Sequence, residues 1–210
     1  MDSQNAQLQA YYHWLRDRGQ AYLNVQPQPV LDGLAGVRQQ IAACQSCELG
    51  QGQRLRALGS GGASARVLFV GDGPLGSDLL FTTDEQDLLL KIVGALGLAE
   101  PDVYFTASVH CRMPDDRPPS RHSFDTCRTH MLAVTKALCP SAVVVLGGLA
   151  ARALFGDDAT FNDLRGRILR EGPLGALPLV VTFHPRDLLR QPQAKRQAWT
   201  DLQLIKQFLV

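Results

Sequence analysis

Short apolar runs at residues 67–70, 103–106, Ala142–Leu146 and 177–183 alternate with stretches of helical spacing, and this alternation limits the chain to one class of architecture. The runs are rich in Val, Leu and Phe and carry no regular polar face, so each strand is buried on both sides. Strands of that kind lie parallel in a sheet covered by helices on both faces. The helical patterns fall at residues 34–43, 84–98, 123–138, 149–155 and 194–209, and residues 59–64 read as a flexible loop. Ligands of such sheets bind at the carboxyl ends of the strands. Here those ends are Gly71-Asp72-Gly73-Pro74, residues 107–111, Gly147-Gly148 and His184-Pro185. With 45% hydrophobic and 20% charged residues over 210 positions, the chain can bury one sizeable core and is not disordered.

The amino-terminal stretch reads as a separate piece. Leu8, Tyr11, Tyr12 and Leu15 give a short helix over residues 7–18, and Gln26-Pro27-Gln28-Pro29 interrupts the chain after it. Residues 1–30 are therefore expected to form a helix and linker. Tyr11, Tyr12, Trp14 and Leu15 make the helix a candidate for docking a partner, the alternative being packing on the domain edge. The first five residues are polar and carry no basic segment of a secretory signal, and no apolar run reaches the roughly 18–20 residues of a membrane helix. A cytoplasmic protein with no membrane partner is expected. Charge is nearly balanced, 21 basic against 20 acidic side chains. That balance excludes the strong positive field of a tight, non-specific DNA binder. The arginines gather in the second half, where Arg165, Arg167 and Arg170 form either a phosphate-facing group or a solvated hairpin face.

Cys44 and Cys47 form a Cys-x2-Cys pair, and Cys111 and Cys127 lie far along the chain. In a reducing compartment such thiols are ligands more often than disulfides. Four thiolates suit either Zn²⁺ or an iron–sulfur cluster, and spacing alone does not choose between them. Cys139, at an apolar helix end, reads as a plain buried residue.

Beyond these patterns, the segments Cys44-x2-Cys47-x-Leu49, Val67-Leu68-Phe69-Val70-Gly71-Asp72-Gly73-Pro74 and Cys111-Arg112-Met113-Pro114, running on to Cys127, resemble the iron–sulfur (family 4) uracil-DNA glycosylases. So do Leu146-Gly147-Gly148-Leu149, Leu164-Arg165-Gly166, Thr182-Phe183-His184-Pro185 and the ending Leu188-Leu189-Arg190-Gln191-Pro192 with Trp199 and Asp201. The resemblance makes residues 36–210 the glycosylase-like domain. It implies a three-layer α/β/α fold with a central four-stranded parallel sheet, and a [4Fe–4S] cluster on Cys44, Cys47, Cys111 and Cys127, with Zn²⁺ the lesser alternative. The family flips a deaminated base out of DNA and cleaves its N-glycosidic bond with water. On that pattern Asp72 or a backbone group would hold the water, Phe81 would stack the base and His184 would stabilise the departing base; the plainer alternatives are a helix or turn cap for Asp72 and a core ring for Phe81.

The chain also departs from the family. Asp72 stands where a Glu is usual, and Arg186 where a Ser follows His-Pro. Ala107 occupies the place of the Asn that reads uracil, and Thr82-Thr83-Asp84-Glu85-Gln86 replaces a glycine-rich loop with acidic side chains where a phosphate backbone should approach. Four changes at one pocket predict a lapsed catalyst that keeps the scaffold. Its DNA contact would then be weak or made through a complex, and residues 1–25 would dock a replication protein. A fainter similarity of the ending Gln191-Pro192…Arg196…Trp199 to the psi subunit of the bacterial polymerase III clamp loader points the same way. The alternative is an active glycosylase of altered base preference.

Overall fold

The computed structural model describes residues 33–52, 55–75, 79–113, 118–170 and 172–209. The helix and linker expected over residues 1–30 lie outside them. In chain order the principal elements are α1 (Gly33–Ala43), β1 (Ser60–Gly61), β2 (Val67–Gly71), α2 (Thr83–Ala95), β3 (Val103–Ala107), α3 (Arg121–Leu138), β4 (Ala142–Leu146), α4 (Gly147–Phe155), α5 (Phe161–Leu164), β5 (Ile168–Leu169), β6 (Leu179–Thr182), α6 (Pro185–Arg190) and α7 (Lys195–Gln203).

The sheet runs β1-β3-β2-β4-β6-β5. Its four inner strands are parallel, with Val67 opposite both Val103 and Ala142, and Val143 opposite Leu179. The expected parallel core is therefore present. Two-residue antiparallel edges, β1 on β3 and β5 on β6, extend it to six strands. Ser60 and Gly61 thus belong to an edge strand rather than to a free loop. Gly61 permits that pairing, because a Cβ there would lie 2.3 Å from the Val103 carbonyl oxygen.

Side chains alternate across the sheet as strand geometry requires. Leu68, Val70, Tyr104, Val143, Val145 and Val181 face α1, α3 and α4 through Ile41, Met131, Val134 and Leu154. Val67, Phe69, Val103, Phe105, Val144 and Val180 face the other way, onto Leu89 and Val93 of α2 and Leu202 and Ile205 of the terminal helical segment. Trp199 packs on this second layer, as its helical position suggested. The turn after α3 corrects one expectation: Cys139 takes a left-handed conformation (φ 47°) that stops the helix before Pro140, and it is exposed rather than buried.

One buried ion pair holds the far side of the sheet to α7. Arg165 Nη2 donates to both carboxylate oxygens of Asp201, at 2.9 and 3.0 Å, and Thr182 Oγ1 donates to the same group at 2.9 Å. The Arg165 guanidinium also lies 4.9 Å from the centre of the Phe183 ring. Arg165 is therefore a strut between the sheet and α7, and Arg170 lies over the Phe208 ring. Asp201→Ala is expected to cost about 3 kcal/mol by stranding these partners. Thermal unfolding should register it as a fall of roughly 6–12 °C in Tm.

Candidate active site

The carboxyl ends of β2, β3, β4 and β6 meet in one place. Asp72 follows β2, and its main chain is fixed there: its carbonyl oxygen accepts from Ser108 Oγ at 2.6 Å and from the Val109 N–H at 3.3 Å. Its side chain reaches across to the start of α4, where Oδ1 accepts from the Ala150 N–H at 3.1 Å. The carboxylate thus caps a helix whose first N–H groups have no partners of their own. Gly147 begins that helix with φ +91°, and a Cβ on it would lie 2.9 Å from His184 Cβ and 3.1 Å from Asp72 Oδ1. The absence of a side chain at Gly147 is what lets Asp72 and His184 share one site.

Phe81 closes the group. Its ring lies on Gly71, where a Cβ would approach within 3.0 Å, and packs edge-on against Phe105 at 5.9 Å between centroids. The His184 ring sits 5.7 Å away at 38°. The structure therefore brings Asp72, Phe81 and His184 together. Ala107, at the end of β3 opposite Gly71, is 0% exposed, so this position has neither an amide nor an open edge.

Electrostatics separate the two ionisable groups. Burial pushes the Asp72 carboxyl up to about 6, despite the Ala150 amide and the charge of Arg186. Burial, with Arg186 beside it, pushes His184 down to about 3, so the ring is neutral at physiological pH. His184 Nδ1 accepts from the Arg186 N–H at 3.2 Å, which assigns the ring proton to Nε2. His184 is thereby a neutral N–H donor held at the N-terminus of α6, where a cation is disfavoured.

The segment after Phe81 differs from its expected character. Thr82 and Glu85 form a reciprocal capping box at the start of α2. Glu85 is 3% exposed, and its Oε1 accepts from Arg186 Nε at 3.0 Å. Its charge is turned inward and neutralised, so of the two acids in this segment only Asp84 is left on the surface. The pairing of Glu85 with Arg186 was not anticipated, although Thr82-x-x-Glu85 is itself a readable capping signature.

Cys44, Cys47, Cys111 and Cys127 are all buried. Cys47, Cys111 and Cys127 share an apolar cluster with Val109 and Phe124. Burial raises the Cys111 thiol, and raises Cys127 strongly, and in both cases charge on Cys44 and Cys47 adds to the effect. Cys44 is instead lowered to about 7, chiefly by a side-chain hydrogen bond from His130. His130 lies one turn beyond Cys127 on α3, a spacing the sequence displays. Arg56 ties the segment together by donating to the Cys44 and Gly50 carbonyls, and Glu48 accepts from Ser120 and Ser123. Among the described residues, no group of three or more His, Cys, Asp or Glu side chains is gathered closely enough to hold a metal ion.

The family model for the uracil DNA glycosylase superfamily matches residues 58–203, a span that contains Asp72, Phe81 and His184. The chain belongs to the uracil DNA glycosylase superfamily. Among curated proteins it is similar to the type-4 uracil-DNA glycosylase of Archaeoglobus fulgidus, 25% identical over 184 residues that cover 83% of this chain and 92% of that one. It is also similar to the type-4 enzymes of Pyrobaculum aerophilum, 28% identical over 77% of this chain and 87% of that one, and Thermotoga maritima, 27% identical over 82% and 93%. The superfamily resemblance read from the motifs is thus upheld over most of the chain. Among the described residues no helix is long and apolar enough to cross a membrane.

The raised Asp72 value carries a stability consequence. A carboxyl whose folded pKa is raised contributes stability below its ordinary 3.8 and loses it as pH rises through about 6. Asp72→Asn keeps an acceptor for the Ala150 N–H but removes the charge that burial penalises. It should therefore stabilise the fold by about 3 kcal/mol above about pH 6, and by nothing below 3.8. Chemical denaturation across that pH range checks the difference.

Proposed function

We propose that the protein is a DNA glycosylase that removes a deaminated base, and that its four cysteines hold a [4Fe–4S] cluster. The observation that carries the activity is the convergence of Asp72, Phe81 and His184 across Gly147. The names of the relatives support an enzyme over a lapsed scaffold.

In this reading the flipped base stacks on Phe81. The bond from the base nitrogen to C1′ breaks with its electron pair leaving on the base, and the Nε2–H of neutral His184 stabilises the charge that develops there. Water forms the new bond to C1′ and passes its proton to the Asp72 carboxylate, which is ionised above about pH 6. Asp72 is shorter than the usual Glu by one methylene; the hydrogen bonds from Ser108 and Val109 to its carbonyl and from Ala150 to its side chain fix where it can reach.

The donor set fits a cluster. Cys47, Cys111 and Cys127 share one apolar cluster and Cys44 is buried on the turn that Arg56 braces, an all-thiol donor set of the kind that holds iron–sulfur clusters. Cys44, Cys47, Cys111 and Cys127 would hold the group, which when bound supplies a covalent tie between the α1 turn, the segment after β3 and α3. Iron and acid-labile sulfide in equal amounts in the purified brown protein are the expected result. Colourless protein with stoichiometric zinc would replace the cluster with an ion.

The activity is tested by base release from oligonucleotides containing uracil, hypoxanthine or xanthine. His184→Ala should lose about 10²–10³-fold in rate. The wild-type rate should fall as pH drops below about 6, the Asp72 value. A second reading, the scaffold subunit, is favoured by Ala107, which has no amide to read uracil. It requires that no base be released and that a replication protein be captured through residues 1–25.

A further inference from the structure

The site lacks the base-reading amide at Ala107, yet another polar group, the side chain of Arg186, is tied through Glu85 to the residue that follows Phe81. Arg186 opens α6 directly after His184-Pro185, and its backbone N–H is bonded to His184 Nδ1. Its side chain extends to the start of α2, where Glu85 accepts from Nε at 3.0 Å. Glu85 is fixed in turn by its capping bond to the Thr82 N–H at 3.0 Å, one residue after Phe81. The guanidinium therefore spans from the His184 side of the site to the Phe81 side, and its charge is felt at both Asp72 and His184.

A guanidinium offers only donors. Uracil presents an N3–H donor between two carbonyl acceptors, so an amide, with one donor and one acceptor, suits it and a guanidinium does not. Hypoxanthine and xanthine present O6 and N7 as two adjacent acceptors, the same pair by which arginine forks onto guanine. The Nε–H is engaged by Glu85, and the two terminal nitrogens form the other edge of the planar group. The buried Glu85 carboxylate also neutralises the cation, so that a neutral base meets no uncompensated charge. Guanine carries the same acceptor pair, but it is paired more firmly than hypoxanthine, which lacks the 2-amino donor, and extrusion from the duplex costs least for the weaker pair.

We infer that Arg186, held by Glu85, is the base-reading residue of this chain, and that its substrate is a deaminated purine, hypoxanthine or xanthine, rather than uracil. The inference rests on the glycosylase reading above and narrows it.

Single-turnover base release from duplexes of one sequence containing hypoxanthine, xanthine, uracil or guanine tests it, with wild type, Arg186→Lys and Glu85→Gln. Wild type should prefer the deaminated purines over uracil and leave guanine. Arg186→Lys keeps the charge but removes the fork, and should lower hypoxanthine and xanthine release by about 10- to 100-fold while uracil release falls far less. Glu85→Gln, which leaves the guanidinium in place without its ionic anchor, should lower the same preference in part, and Tm values of both variants establish that they fold. An equal loss on all substrates in Arg186→Lys would make Arg186 a phosphate contact and overturn the inference, leaving the enzyme reading intact. A wild-type preference for uracil would overturn it too. Release of no base from any duplex would instead remove the glycosylase reading, and this inference with it.

Discussion

The site depends on one close approach. Asp72 follows β2 and His184 lies two residues beyond β6, and β4 separates those two strands in the sheet. They can face each other only because the residue that leaves β4 between them is Gly147, in a conformation other residues resist and with no room for a side chain. From that contact the rest follows. Asp72 takes the amide of α4, and His184 takes the amide of Arg186. Each ionisable side chain is thereby held by the first turn of a helix while burial shifts its pKa. The carboxyl is moved up toward neutrality and the imidazole far below it, so the pair can divide basic and electrophilic roles without exchanging a proton.

The parallel core was legible in the sequence because its signal is strong and local: both faces of each strand are covered, so Val67-Leu68-Phe69-Val70 and Ala142–Leu146 carry no polar positions. The edges β1 and β5 were not, since two residues have no periodicity to read. The short helices α5 and α6 also escaped, because Thr160 and His184 cap them without any apolar stripe of useful length. Asp72, Phe81 and His184 could be found by motif. Their mutual arrangement could not, because Phe81 joins them through contact with Gly71 and Phe105 rather than through any spacing along the chain.

The acidic stretch at Thr82–Gln86 shows why composition misleads at such places. In the sequence it resembles a surface that would repel DNA. In the fold it is the first turn of a helix, where a carboxylate is favoured by the unpaired amides, and Glu85 is almost wholly enclosed. A buried carboxylate of this kind is costly without a cation at hand. Arg186 is that cation, and the replacement of Ser by Arg after His-Pro is intelligible only together with Glu85. Two departures that looked like independent losses are one interaction.

The cysteine region obeys a different constraint. Cys111 and Cys127 sit in an apolar setting that opposes ionisation, and a thiolate formed beside them would raise their pKa values further. Such a cluster is stable as neutral thiols or as ligands to a strong positive centre, and poorly stable in between. Arg56 braces the Cys44 turn, and His130 draws the Cys44 thiol toward ionisation. Because Ala57 and Arg56 also bridge to His110 and Cys111, the turn before β1 and the segment after β3 are held as one piece. Val109, whose N–H bonds the Asp72 carbonyl, stands two residues from Cys111. The cysteine region and the Asp72 site are therefore joined by a short stretch of backbone, residues 108–111, that bonds the Asp72 carbonyl at one end and carries Cys111 at the other.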